Sequence, residues 1–165
     1  MLMEKFKNDL IALLKENARY TYTEMALMLS SDEKTVKDAV TSLENDGVIV
    51  KYSAILNTEV MAKNNVQALI EVKVAPQKLK GFDAYAEEIY SFPEVTSLYL
   101  MSGGFDLAVF VEGEHLTDIA RFVAEKLSVI DGIIGVATHF ILKKYKIEGV
   151  VAKQNEESKR QIVQA

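Results

Sequence analysis

The sequence predicts an α+β protein in two parts, and three observations carry that prediction. Up to about residue 58 the apolar residues recur at helical spacing. From Val66 onward alternating, strand-like runs are interleaved with two helical ones. Between them EVMAKNN, 59 to 65, is polar and has no strong period, so the boundary is placed there. The organisation read from the chain is 1–58, a linker at 59–65, 66–147, and a tail at 148–165.

In the front part Phe6, Leu10, Leu13 and Leu14 give one amphipathic helix ending near Asn17. Thr21 and Glu24 are spaced as a capping box opening a second helix, with Met25, Leu27, Met28 and Leu29 as its apolar positions. Ser30 and Glu33 repeat that spacing and open a third, where Val36, Val40 and Leu43 face inward. Gly47 stands where a left-handed residue would end it. VIVKYSAIL, 48 to 56, reads as two short β-like runs. Three helices, a tight turn between the second and third, and a small hairpin make a winged helix-turn-helix. Such a module lays its third helix in the major groove of DNA with the wing beside the phosphates.

The back part alternates differently. VQALIEVKV, 66 to 74, reads as a strand; Leu79 to Tyr90 as a helix; Val95 to Met101 and Leu107 to Val111 as strands. His115 to Val129 follows as a helix, with Leu116, Ile119, Phe122, Val123 and Leu127 inward, and Ile133 to Tyr145 as a long last strand. Phe82, Tyr85, Tyr90 and Phe92 read as core covering the sheet. This βαββαβ order is the ferredoxin-like arrangement, an antiparallel sheet with both helices on one face. The uncovered face calls for a partner, so a dimer or higher oligomer is expected. The tail VVAKQNEESKRQIVQA is polar and mixed in charge, which suits either disorder or a short extended segment at a sheet edge.

Composition excludes several classes. The 165 residues are 49% hydrophobic and 26% charged, ordinary values for a globular chain. No apolar run approaches the roughly 20 residues that span a bilayer, and MLMEKFKNDL lacks a signal-peptide core. With no cysteine there is no disulfide framework, which fits the cytoplasm. Two distant histidines, His115 and His139, give no metal-ligand spacing, and no cofactor is expected. There is no nucleophile elbow, P-loop or dinucleotide fingerprint. The net charge of −5 argues against a protein that simply coats nucleic acid. Up to Thr58 seven Lys and Arg face nine Asp and Glu, a net −2, so phosphate contacts there are few.

The candidate binding residues fall in two groups. Lys34, Thr35, Lys37 and Thr41 on the third helix, with Lys51 and Tyr52 on the wing, would meet DNA, or else form a solvated face. In SLYLMSGGFDLAVFVEG, 97 to 113, Gly103-Gly104 reads as a tight hairpin turn in which both residues can take φ > 0. Ser102, Gly103, Gly104 and Asp106 then offer backbone N–H groups for a carboxylate and one acid for an ammonium group. Asp106 could equally cap the hairpin alone.

TVKDAVTSLENDGVI at 35 to 49, MSGGFDLAVFVEG at 101 to 113 and THFILKKYK at 138 to 146, in this order, resemble the Lrp/AsnC (leucine-responsive/asparagine-responsive) transcriptional regulators over about residues 4 to 147. That resemblance implies a DNA-binding regulator that dimerises through its second domain, often as tetramers of dimers, and responds to an amino acid. It implies effector contacts at subunit interfaces by Met101, Ser102, Gly103, Gly104 and Asp106, with Thr138 and His139 as further candidates. The chain departs from the family in its third helix, which carries two lysines and no arginine. Two alternatives remain: a co-regulator of the same architecture that no longer reads DNA, and a tetrapyrrole decarboxylase-like enzyme, which the scarcity of histidines disfavours.

Overall fold

The structure, a computed structural model, describes residues 2–58, 61, 65–75 and 81–152. It divides into two compact units, Met1–Ala54 and Ile55–Ala165. In the first, α1 (Leu2–Glu16), α2 (Tyr22–Met28) and α3 (Glu33–Asn45) enclose a small core of Leu10, Met25, Ala26, Val36, Val40 and Leu43. Phe6, Leu13 and Leu14 pack against it. The α2 capping box forms as its spacing predicts: the Glu24 amide donates to Thr21 Oγ1 at 3.2 Å, and the Thr21 amide donates to Glu24 Oε2 at 2.7 Å. Leu27 and Met28, expected inward, are exposed, and Ala26 is buried instead.

The start of α3 differs from expectation. Asp32, not Ser30, is its cap: the Thr35 amide donates to Asp32 Oδ1 at 2.9 Å and the Thr35 hydroxyl to Oδ2 at 2.6 Å. Ser30 adopts φ 50° and belongs to the end of α2, where the Ser31 amide reaches the Ala26 carbonyl at 2.9 Å. Glu33 therefore turns to α2 and accepts from the Thr23 hydroxyl at 2.9 Å. Gly47 ends α3 at φ 69°, with the Val48 amide bonded back to the Leu43 carbonyl at 2.9 Å. The wing strands do not form. Residues 48–56 form no strand and no ladder; VIVKYSAIL holds no Gly, Asn, Asp or Pro that could reverse it.

The second unit is a four-stranded antiparallel sheet, ordered β2-β3-β1-β4, of β1 (Val66–Val74), β2 (Val95–Leu100), β3 (Leu107–Gly113) and β4 (Ile133–Phe140). One face is covered by α4 (Phe82–Tyr90) and α5 (Leu116–Phe122), the latter continuing as a π turn over Val123–Leu127. Ala68, Ile70, Val72 and Val74 of β1 and Leu107, Val109 and Val111 of β3 meet Tyr85, Ile89, Ile119, Phe122 and Leu127 there. Phe92 packs on this core, while Phe82, Tyr90 and Leu116, expected inside, are exposed at element ends. Lys126 of the π turn pairs with Glu94 and lies 5.6 Å from the Phe92 ring centroid. The start expected for the first helix, Leu79, lies outside the described residues, as do most of 59–65 and the tail beyond Ala152.

The uncovered face is read from the ladder registers. Leu69, Glu71 and Lys73 of β1 alternate with the core residues and stand beside Ala108 and Phe110 of β3 and Ala137 and His139 of β4. Tyr99 of β2 adds an edge-to-face contact with Phe110, centroids 5.9 Å apart.

Two turns exchange the roles the sequence suggested. Gly103 and Gly104 do not adopt positive φ. Leu100 pairs with Leu107, so the reversal is spread over residues 101–106 and needs no left-handed residue. The tight turn with two left-handed residues is instead Glu148-Gly149, φ 45° and 84°, joining β5 (Lys146–Ile147) to β6 (Val150–Val151). The last long strand correspondingly stops at Phe140. Its partner β1 begins at Val66, so the ladder ends soon after the Ile141 amide meets the Gln67 carbonyl at 2.8 Å.

Candidate functional site

The first candidate surface is the solvent face of α3. Burying Val36, Val40 and Leu43 turns Lys34, Asp38, Thr41 and Asn45 to the opposite side, and all four are exposed. Lys37 is exposed on the flank. Thr35 is exposed as well, but its amide and hydroxyl are both committed to Asp32. Those bonds, the hydroxyl's first, hold the Asp32 carboxyl below its ordinary value. Lys51 is exposed on the segment after α3. Tyr52 folds back on α3, its hydroxyl donating to Glu44 Oε1 at 2.9 Å. Partial burial, then that bond, pushes its pKa up to about 12, so it stays a neutral donor. Lys7, on α1, reaches the rear of α3 by donating to Ser42 Oγ at 3.1 Å.

The second candidate surface is the loop between β2 and β3. Asp106 is its foot. Its amide donates to the Val72 carbonyl at 2.9 Å, its carbonyl accepts from Met101 at 2.8 Å, and its Oδ2 accepts from the Val74 amide at 2.8 Å. The acid is thus an anchor to β1 within its own chain, and its Oδ1 has no partner among the described residues. Met101, Ser102, Gly103 and Gly104 form an exposed crest. The Gly103 and Gly104 amides have no hydrogen-bond partner among the described residues, and a side chain at either glycine would meet nothing within 4 Å.

Thr138 and His139 do not join this group within one chain. They pair with Ile70 and Leu69, whereas Asp106 bonds to Val72 and Val74. Asp106, one residue before the Val72–Leu107 pair, is level with Lys73, so the offset is three to four strand residues, roughly 10–13 Å at about 3.3 Å each. Thr138 is half-buried, and His139 Nε2 lies 3.3 Å from Glu71 Oε1 on the uncovered face. No local signal announces this separation, because sheet register is set by partners far along the chain. A cavity of about 300 Å³ also opens beside the end of β4, among Asn65, Gln67, Leu116, Phe140 and Lys144. No helix among the described residues is long and apolar enough to cross a membrane.

Comparison with known proteins places both units. Residues 3–50 match a model described as winged helix-turn-helix DNA-binding, and residues 67–151 one described as the Lrp/AsnC ligand binding domain. An uncharacterised HTH-type transcriptional regulator of Bacillus subtilis, YugG, is 41% identical over 164 residues, covering 99% of each chain. The HTH-type transcriptional regulator LrpA of Pyrococcus horikoshii is 31% identical over 137 residues, 83% of this chain and 94% of LrpA. A transcriptional regulator of Neisseria meningitidis, crystallised as an L-Met complex, has the same fold at a TM-score of 0.70 and 24% identity, covering 89% of this chain and 94% of its own. E. coli AsnC does so at 0.68 and 19%, covering 87% and 94%. Matched by both models in turn and by relatives almost end to end, the chain belongs to the Lrp/AsnC family of helix-turn-helix transcriptional regulators.

Proposed function

We propose that this regulator acts in the cytoplasm, reads specific DNA sequences through the solvent face of α3, and senses an amino acid or a similar small metabolite through its second unit. The observation that carries the sensing role is the crest of the 101–106 loop. Among the described residues two glycine amides have no internal partner, and they stand beside an acid with one oxygen unused. The amides suit a carboxylate and the spare Asp106 oxygen an α-ammonium, while Met101 and Ser102 would meet the effector's remainder. The solved L-Met complex of the Neisseria regulator supports an amino acid as the effector class. Two subunits would associate through the uncovered sheet face, around Leu69, Tyr99 and Phe110, and dimers could assemble further. Thr138 and His139 would enter an effector site only from a neighbouring subunit.

On the DNA side Lys34, Lys37 and Thr41 are the α3 contacts, with Lys51 toward the phosphates. Thr35 and Tyr52 act chiefly by fixing the two ends of the helix. A second reading, a co-regulator that has lost DNA binding, is favoured by the net −2 charge of the front half. A low-salt mobility shift on the protein's own upstream region separates the two. A shift abolished by Lys34→Glu with Lys37→Glu supports DNA reading, and no shift at any salt supports the co-regulator. Calorimetry with individual amino acids tests the sensing role. Heat that disappears in Asp106→Asn supports the loop site; heat lost on Lys144→Ala but kept in Asp106→Asn moves the ligand to the cavity beside β4.

A further inference from the structure

Five acids lie on or border α3: Asp32, Glu33, Asp38, Glu44 and Asp46. Four of them accept a side-chain hydrogen bond. Thr35 donates to Asp32, Thr23 to Glu33, Tyr52 to Glu44 and Ser42 to Asp46. Asp38 has no such bond and no ion pair among the described residues, although Lys34 is its i−4 neighbour. It is exposed, opposite Val36 and Val40, in the middle of the face that carries Lys34, Thr41 and Asn45. A carboxylate at that position is repelled by every phosphate bordering the groove and weakens non-specific attachment. The groups in a major groove that welcome it are exocyclic amines, and the N4 amine of cytosine is the usual partner of an acid.

We propose that Asp38 is a base-reading residue that selects a cytosine in the operator, a role that rests on the DNA-reading function above. The helix sets where that cytosine falls. Asp38 is four residues beyond Lys34, about 6 Å along the axis at 1.5 Å per residue. With base pairs about 3.4 Å apart, this is just under two base pairs. Lys34 suits the O6 and N7 acceptors of guanine. A half-site therefore holds a guanine and, about two base pairs away, the cytosine read by Asp38. The acid gives up affinity for arbitrary DNA and gains discrimination, which accounts for a reading helix with two lysines and an unpaired carboxylate at its centre.

The test is selection from random duplexes by the full-length wild type, Asp38→Ala and Asp38→Asn, with circular dichroism confirming that each variant folds. The wild type is expected to prefer cytosine at one position by about ten-fold, within the range of a good base contact. Asp38→Ala should lose the preference at that position alone and bind a scrambled duplex more tightly at low salt. Asp38→Asn should move the preference to adenine, whose N6 and N7 match an amide. Unchanged preferences in both variants would overturn the proposal while leaving DNA reading intact. A wild type that selects no sequence would overturn both.

Discussion

Asp106 anchors a loop and, on the proposed function, also pairs with the effector; a pair of substitutions divides the two roles. Its Oδ2 holds the Val74 amide at 2.8 Å, tying the β2–β3 loop to β1. A hydrogen bond to a charged group contributes about 1.5–3 kcal/mol, and a buried donor left without a partner sits at the upper end of that range. Asp106→Ala removes the acceptor and should cost about 2 kcal/mol in urea unfolding followed by circular dichroism. Asp106→Asn keeps an oxygen where the Val74 amide needs it, and should cost less than about 1 kcal/mol. Effector affinity should divide otherwise, since both variants lose the charge opposite an α-ammonium. A loss of about 1.4 kcal/mol is ten-fold in Kd, so at least that weakening is expected of Asp106→Asn in calorimetry. Protomer concentration must be held fixed, because association shifts apparent stability. Equal destabilisation by Asn and Ala would refute the anchoring argument. Wild-type affinity in a stably folded Asp106→Asn would refute the ammonium pairing.

Three further outcomes are expected. Gly132 sits at φ 93°, and a Cβ there would fall 2.1 Å from Tyr85 Oη and 2.9 Å from Cζ. Gly132→Ala combines backbone strain of about 1–2 kcal/mol with overpacking of about 1–3 kcal/mol and should lower the urea midpoint sharply; Tyr85→Phe in the same chain should relieve only part. Asp32, held below its ordinary value of 3.8 by Thr35, contributes stability that is present above that pH and fades as pH falls through the lower folded value. The gap in Tm between wild type and Asp32→Ala should therefore be constant near neutrality and close in acid. Tyr52, pushed up to about 12 by burial and by Glu44, contributes stability that is complete below pH 10 and lost as pH rises toward 12. In a spectrophotometric titration of the seven tyrosines, Tyr52→Phe should remove the latest step.

Most of the fold was legible in the residues. Val36, Val40 and Leu43, the Thr21–Glu24 box and the alternation in VQALIEVKV each report a local period that tertiary contacts do not override. The errors arose where a local signal had two outlets. Ser30 and Asp32 both suit a cap, and the one bonded through Thr35 prevailed. Gly103-Gly104 permits a tight turn, but the Leu100–Leu107 register leaves six residues for the reversal and none is needed. Glu148-Gly149 does make one, and was hidden because only two residues pair on each side. The functional surfaces were half legible. Lys34, Ser102, Gly103, Gly104 and Asp106 could be nominated from the residues, yet that Asp38 alone of the α3 acids accepts no side-chain bond among the described residues depends on Thr23, Thr35, Ser42 and Tyr52, and no periodicity brings Thr23 or Tyr52 to α3.

The three main-chain and side-chain bonds that meet at Asp106 divide the β2–β3 connection into a slow part and a fast one. Amide protons at Val74, Met101 and Asp106 should exchange with solvent deuterium only as the sheet opens, and those at Gly103 and Gly104 almost at once. A molecule settling on the crest would then slow two protons and leave the other three unchanged, so occupancy of the loop can be followed without labelling the molecule itself.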